Sequence, residues 1–303
     1  MTSAPETDFP IPLSQETALR IRLAPAALAL LLAAPALADD ISGTLKKIQD
    51  TRVIKLGYLT QSIPFSYIDA DGKPNGYSVD LCMRVTTGIQ EQLGLPDLAV
   101  QWVPVTLETR FDSVKSGEID VECGITTNTL SRQKQVDFSV MTWLDGANFA
   151  VREESPYKTL SDLAGKKIAV IAGTTTVGAF KQVLEKSYVN AELVTVHSHA
   201  EGLDAVRRGA ADAYAADHTV LVGLAVQMAQ SMKLRLGDRT LSYEPYGLML
   251  RKNDQDFRQA VNTVLSRIYR SGQIIPIYDR WFGKLGKPSQ FITVMYLMNG
   301  LPE

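Results

Sequence analysis

Apolar residues along the chain switch repeatedly between the two-residue spacing of a strand and the three-to-four-residue spacing of a helix. Val53–Leu59 is a short β-branched run, Ser78–Leu93 sets Leu81, Val85 and Ile89 on one helical face, and Leu98–Val105 returns to strand spacing. Leu107–Lys115 reads as a helix stopped by Gly117, with a strand over Ile119–Gly124. The phrase continues through Lys167–Ala172, Thr175–Lys186, Leu193–His197, Ala200–Arg208 and Asp212–Ala216, before a helix starting near His218. Such alternation predicts α/β architecture with mainly parallel strands.

An internal repeat divides this series in two. The segment 111–120, Phe-Asp-Ser-Val-Lys-Ser-Gly-Glu-Ile-Asp, matches 203–212, Leu-Asp-Ala-Val-Arg-Arg-Gly-Ala-Ala-Asp, in apolar spacing, in its helix-ending Gly117 or Gly209, and in an aspartate before a strand. Leu45–Gly57 and Leu160–Gly173 are likewise paired as short helix, basic turn and apolar strand. Two similar lobes with a cleft between them are expected. Ser139–Gly146 and Ser242–Gly247 are the candidate crossings, which makes the first lobe discontinuous: 39–141 and 246–303 in one lobe, 142–245 in the other.

The chain start changes the picture of where these lobes work. Arg20 and Arg22 precede an Ala/Leu run from Leu23 to Ala38 that ends Ala-Leu-Ala, the layout of a signal peptide over 1–38 cleaved after Ala38. The run is too short to span a bilayer and holds Pro25 and Pro35, and no cysteine follows it for lipid attachment. Met1–Leu19, with Glu6, Asp8 and Glu16, is long and acidic for such a signal, so the true translation start is expected downstream of Met1. With 31 basic and 33 acidic side chains the net charge is -2, which offers no footprint for nucleic acid. Cys82 and Cys123 are the only cysteines. An oxidising compartment favours a disulfide between them, the alternative being two small buried apolar side chains. A metal site is disfavoured, since no Cys-x-x-Cys pair occurs and only His197, His199 and His218 are available.

Seven segments then occur in order: Ile63-Pro-Phe-Ser-Tyr67, Gly76-Tyr-Ser-Val-Asp80, Glu122-Cys-Gly-Ile-Thr-Thr-Asn128, Ser131-Arg-Gln-Lys-Gln135, Asp137-Phe-Ser139, Gly173-Thr-Thr-Thr176 and Tyr246-Gly-Leu-Met-Leu-Arg-Lys252. Together they resemble the periplasmic amino-acid-binding proteins of ABC importers (family 3 solute-binding proteins), nearest the glutamate/aspartate-binding branch. The resemblance implies a two-lobed type II periplasmic-binding-protein fold, joined by two crossing strands. It further implies a monomer without cofactor, located in the periplasm, whose partners are a small amino acid and the membrane permease.

An amino acid requires a cation for its carboxylate, an anion for its ammonium and oriented neutral groups for the rest. Arg132 suits the carboxylate because a guanidinium offers two parallel donors, and the resemblance puts it at the family's carboxylate-binding arginine. Thr127 adds a hydroxyl and an amide, and the Ile125 carbonyl can accept from the ammonium. Thr174 and Thr175 end a strand and open a helix, where amides and hydroxyls favour an anion, although capping alone would also place threonine there. Asp217 matches the family position that receives the ammonium, its rival role being a helix N-cap. Ser66, within the first matched segment, completes the ligand-binding set.

Side-chain specificity is where the chain departs from the branch it resembles. Arg110 and His199 match positions that face an acidic ligand side chain, but Leu59 stands where that branch has a second arginine, and Leu107 replaces a small polar residue. Phe65 and Tyr67 can pack on a ligand stem or in the core; Tyr243 and Tyr246 lie in a crossing; the tail Phe291–Met298 is a partner-binding strand or a segment folded back. A cyclohexadienyl dehydratase on the same scaffold would need a carboxyl acid poised in the cleft, where the matched positions are Thr, Arg, His and Asp217. No transmembrane stretch follows the lobes, as a sensor domain would need, and no Gly-x-Ser-x-Gly elbow or P-loop marks a hydrolase.

Overall fold

In the computed structural model, which describes residues 41–302, helix α1 (Gly43–Thr51) feeds strand β1 (Val53–Tyr58) through Arg52, a left-handed residue at the helix C-cap. A small hairpin sheet follows, β2 (Gln61–Ser62), β3 (Ser66–Ile68) and β4 (Pro74–Asn75), then α2 (Tyr77–Leu93), β5 (Ala99–Pro104), α3 (Arg110–Ser116) and β6 (Val121–Glu122). Strand β7 (Asp137–Asp145) runs through Gly146 into β8 (Ala147–Arg152). Next come β9 (Lys167–Ile171), α4 (Thr175–Lys186), β10 (Glu192–Val196), α5 (His199–Arg207), β11 (Ala213–Asp217), α6 (His218–Met228) and β12 (Leu234–Leu236). Strand β13 (Glu244–Leu250) leads back to α7 (Gln255–Arg270), α8 (Ile274–Phe282) and α9 (Gln290–Asn299). The signal peptide expected over 1–38 lies outside the described residues.

The strands form two five-stranded sheets, ordered β5-β1-β6-β13-β7 and β10-β9-β11-β8-β12. Strands β5, β1 and β6 are parallel in the first, and β10, β9 and β11 in the second. The remaining strands pair antiparallel: β7 leaves the first sheet to become β8 in the second, β12 adds to the edge beside β8, and β13 returns alongside β7 with Glu244 opposite Asp145. Two α/β lobes joined by two adjacent strands result.

The internal repeat has a physical counterpart. Asp120 Oδ2 accepts from the Lys55 N–H at 2.8 Å, and Asp212 Oδ2 from the Lys167 N–H at 2.9 Å, so each repeat aspartate fixes the start of the neighbouring parallel strand. The chain reaches each aspartate through a left-handed glycine, Gly117 at φ 77° and Gly209 at φ 71°, a conformation that costs a side chain about 1 kcal/mol or more.

Three segments differ from their sequence pattern. Helix α3 starts at Arg110 rather than Leu107, because the Thr106 and Thr109 hydroxyls bond the N–H groups of residues 106, 108 and 109 in a side-chain turn that competes with the helix. Strand β6 is confined to Val121–Glu122, within the expected Ile119–Gly124. The apolar tail is folded back on the body, as a helix and not a strand: α9 is capped by Ser289 and packs on β7 and α7, and the Tyr296 hydroxyl meets that of Tyr77 at 2.9 Å.

Phe65 lies at the centre of an aromatic cluster with Tyr77, Trp143, Tyr246 and Phe282, and Tyr67 sits edge-on to Trp281, so both serve packing. Cys82 of α2 is bonded to Cys123, just past β6, with Cα atoms 6.0 Å apart. That bond ties the first long helix to the strand end from which the cleft residues 125–127 emerge. With a sequence separation of 41, loop-closure entropy makes it worth roughly 4 kcal/mol. Replacing both cysteines by alanine is therefore expected to lower the melting temperature by roughly 8–16 °C. An unchanged melting temperature in calorimetry would contradict this.

Candidate functional site

A narrow cavity lies between the lobes. The first lobe contributes Arg110, Ile125, Thr127 and Arg132 to its wall, and the second contributes Thr174, Thr175, His199 and Asp217. Ser66 is not among the lining residues. Its hydroxyl is engaged by the Leu59 backbone, accepting from the N–H at 2.9 Å and donating to the carbonyl at 3.3 Å, so it shapes the β1 end instead of touching the cavity.

Arg132 sits in a single 3₁₀ turn, Arg132–Lys134, and is 9% exposed. Its Nη1 donates to the Thr127 carbonyl at 3.0 Å and its Nη2 to the Gly173 carbonyl of the other lobe at 3.3 Å, while the guanidinium lies 5.3 Å from the Phe111 ring centre. These bonds fix the fork and leave donors for a carboxylate. Burial lowers its pKa, opposed first by Glu244 and then by Asp217. Arg132 is thus neither exposed nor part of an α-helix.

Glu244, the first residue of β13, is a site residue that the sequence pattern did not single out. It is buried, and its Oε2 accepts from the hydroxyls of Thr127 at 2.8 Å and Thr175 at 2.7 Å, one from each lobe. Ser242 donates to Oε1 at 2.6 Å. Each threonine hydroxyl has one proton, which Glu244 takes, so their remaining capacity toward the cavity is as acceptors. Donors for an anion are then the Arg132 guanidinium and the first N–H groups of α4, which lack helix partners and carry no side-chain cap. Thr174 turns its hydroxyl back to the Ile171 carbonyl at 2.7 Å.

Asp217 closes β11 at the N-cap of α6 but makes no side-chain cap bond. Its oxygens accept from Tyr246 Oη in a short contact and from Thr176 Oγ1 at 3.4 Å. Capping falls instead to Asp145 at the end of β7, whose Oδ1 accepts the N–H groups of Gly146 at 2.8 Å and Thr219 at 3.3 Å. Burial raises the pKa of both aspartates; Asp217 raises that of Asp145, and Glu244 adds to the rise at Asp217, where the Tyr246 hydrogen bond and Arg132 oppose it. An ammonium placed here would favour the ionised form of Asp217. Tyr246 is thus a positioning group, whereas Tyr243 is largely exposed.

Arg110 is 2% exposed and donates from Nη1 to the Leu107 carbonyl at 2.8 Å, and its guanidinium lies 5.4 Å from the centre of the Phe111 ring that Arg132 also approaches. His199 bonds Tyr214 Oη through Nδ1 at 2.6 Å and Ser62 Oγ through Nε2 at 3.3 Å. Burial depresses its pKa to about 4, so the ring is neutral at pH 7. Leu107 lines the cavity; Leu59 is buried outside it.

Two α/β lobes hinged by paired strands, with an arginine and an aspartate turned into one interlobe cavity, define a two-lobed solute-binding protein. The chain belongs to the bacterial extracellular solute-binding proteins, family 3, whose pattern matches residues 54–284. It is 38% identical over 261 residues to the L-glutamate/L-aspartate-binding protein of Pseudomonas aeruginosa, covering 86% of each chain. It is 31% identical over 264 residues to the glutamate/aspartate import solute-binding protein of Escherichia coli, covering 86% of this chain and 87% of that one. Among solved structures it resembles an ancestral arginine-binding protein bound to arginine, with a TM-score of 0.68 and 27% identity over 76% of this chain and 98% of the other.

The aspartate pair gives the site a pH signature. A carboxyl whose folded pKa is raised holds its proton in the fold while the unfolded chain releases it above about pH 4, so its contribution to stability declines as pH rises from there through neutrality. Asp145→Asn keeps an oxygen for both N–H groups and removes the ionisation. The variant should therefore exceed the parent in melting temperature by a margin that widens from about pH 5 to about pH 8. A margin independent of pH in thermal scans would contradict the assignment.

Proposed function

We propose that the chain is the periplasmic component of an amino-acid ABC importer and binds an acidic or polar L-amino acid between its lobes. The observation that carries this reading is that Arg132 and Asp217, from opposite lobes, line one cavity together with the N-terminus of α4. The ligand carboxylate takes Arg132 and the α4 amides, while its ammonium takes Asp217, the Ile125 carbonyl and the outward lone pairs of Thr127 and Thr175. Arg110 and His199 address the side chain; Ser66 supports the wall from behind. Bridging both lobes stabilises a closed form, and the permease distinguishes that form from the open one. The lobes are assigned as 39–141 with 246–303, and 142–245, in a monomer released by cleavage after Ala38.

Binding is supported over the dehydratase alternative by the two relatives described above, both named for binding or import of an amino acid. Membership of an extracellular family agrees with export by a signal peptide. The acidic ligands named for those relatives agree with Arg110 at the far end of the cavity, though not with strict selection of an acid, because Leu59 carries no charge.

The two ends of the ligand are separable in calorimetry. Arg132→Ala leaves a buried carboxylate without its cation and should weaken every amino acid ligand about a hundredfold or more. Arg110→Ala should weaken glutamate and aspartate roughly tenfold to a hundredfold and leave small neutral amino acids nearly unchanged. Full affinity for acidic ligands in the Arg110 variant, or selective loss of one ligand class in the Arg132 variant, would contradict the assignment.

A further inference from the structure

The two cations of the cavity share a support that no hydrogen bond supplies. Arg132 and Arg110 are 9% and 2% exposed, and burying a cation is costly unless something nearby compensates. Their hydrogen bonds go to carbonyls: Leu107 for Arg110, Thr127 and Gly173 for Arg132. Both guanidiniums also stand over one aromatic ring, that of Phe111, with their central carbons 5.3 Å (Arg132) and 5.4 Å (Arg110) from its centre. Within about 6 Å the negative face of such a ring attracts a cation. A phenyl ring has no net charge and no lone pair to occupy the donors, so it holds a guanidinium without neutralising the charge that a ligand carboxylate needs.

Chain spacing does not impose this contact. Arg110 and Phe111 are the first two residues of α3, and adjacent helical side chains diverge, so the Arg110 guanidinium has to turn back over its neighbour. Arg132 comes from a separate segment, the 3₁₀ turn Arg132–Lys134. Phe111 belongs to none of the seven ordered segments, but the internal repeat supplies a comparison. Leu203 stands at the matching position of the second lobe as a core residue 4% exposed, so leucine meets the packing need there. Phe111 packs partly buried against the core and is not among the residues lining the cavity, which leaves support of the two arginines as what its ring adds. We infer that Phe111 is a positioning residue for both ends of the ligand, its ring setting the Arg132 guanidinium for the α-carboxylate and the Arg110 guanidinium for an acidic side chain. The inference rests on the amino-acid reading above and concerns what prepares the two arginines before the ligand arrives.

Fluorine drains the π face of a phenyl ring while changing its shape little. Site-specific replacement of Phe111 by mono-, di- and trifluorophenylalanine therefore separates the ring's electrostatics from its packing. Calorimetric titration of parent and variants with glutamate and alanine at about pH 7.5 gives the readout. Affinity for both ligands should fall stepwise with each fluorine. At the trifluoro ring the loss should reach roughly threefold for alanine, which engages Arg132 alone, and roughly tenfold for glutamate, which engages both arginines. Phe111→Leu, which keeps an apolar side chain of the kind found at Leu203, should weaken the two ligands in the same order. A merely structural role would let Phe111→Leu weaken binding while the fluorinated series stays flat, and a flat series overturns the inference. Alanine unmoved by fluorination, or weakened as much as glutamate, would leave the ring serving one guanidinium and overturn the shared role. In both of these cases amino-acid binding by the parent stands. A parent that binds neither ligand removes the amino-acid reading and this inference with it.

Discussion

The carboxylate of Glu244 joins what the rest of the structure keeps apart. It sits on a strand that passes between the lobes and receives one threonine hydroxyl from each, Thr127 and Thr175, while Arg132 reaches from the first lobe to the Gly173 carbonyl of the second. Both contacts depend on closure, and both place ionised groups away from water. That is favourable only when opposite charges and satisfied hydrogen bonds accompany them. The closed cleft is consequently a balance of few charges, in which any ligand must complete the set and not add to it.

The backbone positions that balance. Residues 126–128 are sutured to β13 by bonds from Asn128 N–H to the Pro245 carbonyl at 2.7 Å and from Gly247 N–H to the Thr126 carbonyl at 3.3 Å. Arg132 follows on the next turn, and the disulfide holds the start of the same segment against α2. On the other lobe, Asp217 is carried by a strand end and oriented by Tyr246, itself a residue of β13. The hinge strand thus touches Thr127 and Thr175 through Glu244 and Asp217 through Tyr246, which gives a physical route by which filling the cleft and setting the lobes can be coupled.

Much of this was legible in the sequence, for identifiable reasons. Lys167–Ile171, Thr175–Lys186 and the repeat aspartates Asp120 and Asp212 stand where periodicity placed them, because strand and helix spacing and the helix-ending glycines are local signals. Of the cavity residues, Arg132 and Thr127 were found through ordered motifs, and Asp217 and Arg110 through single positions that the resemblance implied. What remained hidden depends on contacts distant in the chain. Glu244 reads as an ordinary acidic residue until the fold brings the hydroxyls of Thr127 and Thr175 to it. Ser66 illustrates the reverse: a hydroxyl in a matched motif is taken by a neighbouring backbone, which no spacing rule reveals. The side-chain turn at Thr106–Thr109 likewise overrides helix periodicity at Leu107.

The central claim is the polarity of the ligand in the cleft, and a crystal structure of the protein with bound glutamine tests it most directly. The α-carboxylate is expected against the Arg132 guanidinium and the N-terminal amides of α4, the ammonium on Asp217, and the side-chain amide toward Arg110. A ligand lying the other way round, with its ammonium toward Arg110 or its carboxylate on Asp217, or one bound outside the interlobe cavity, would contradict it.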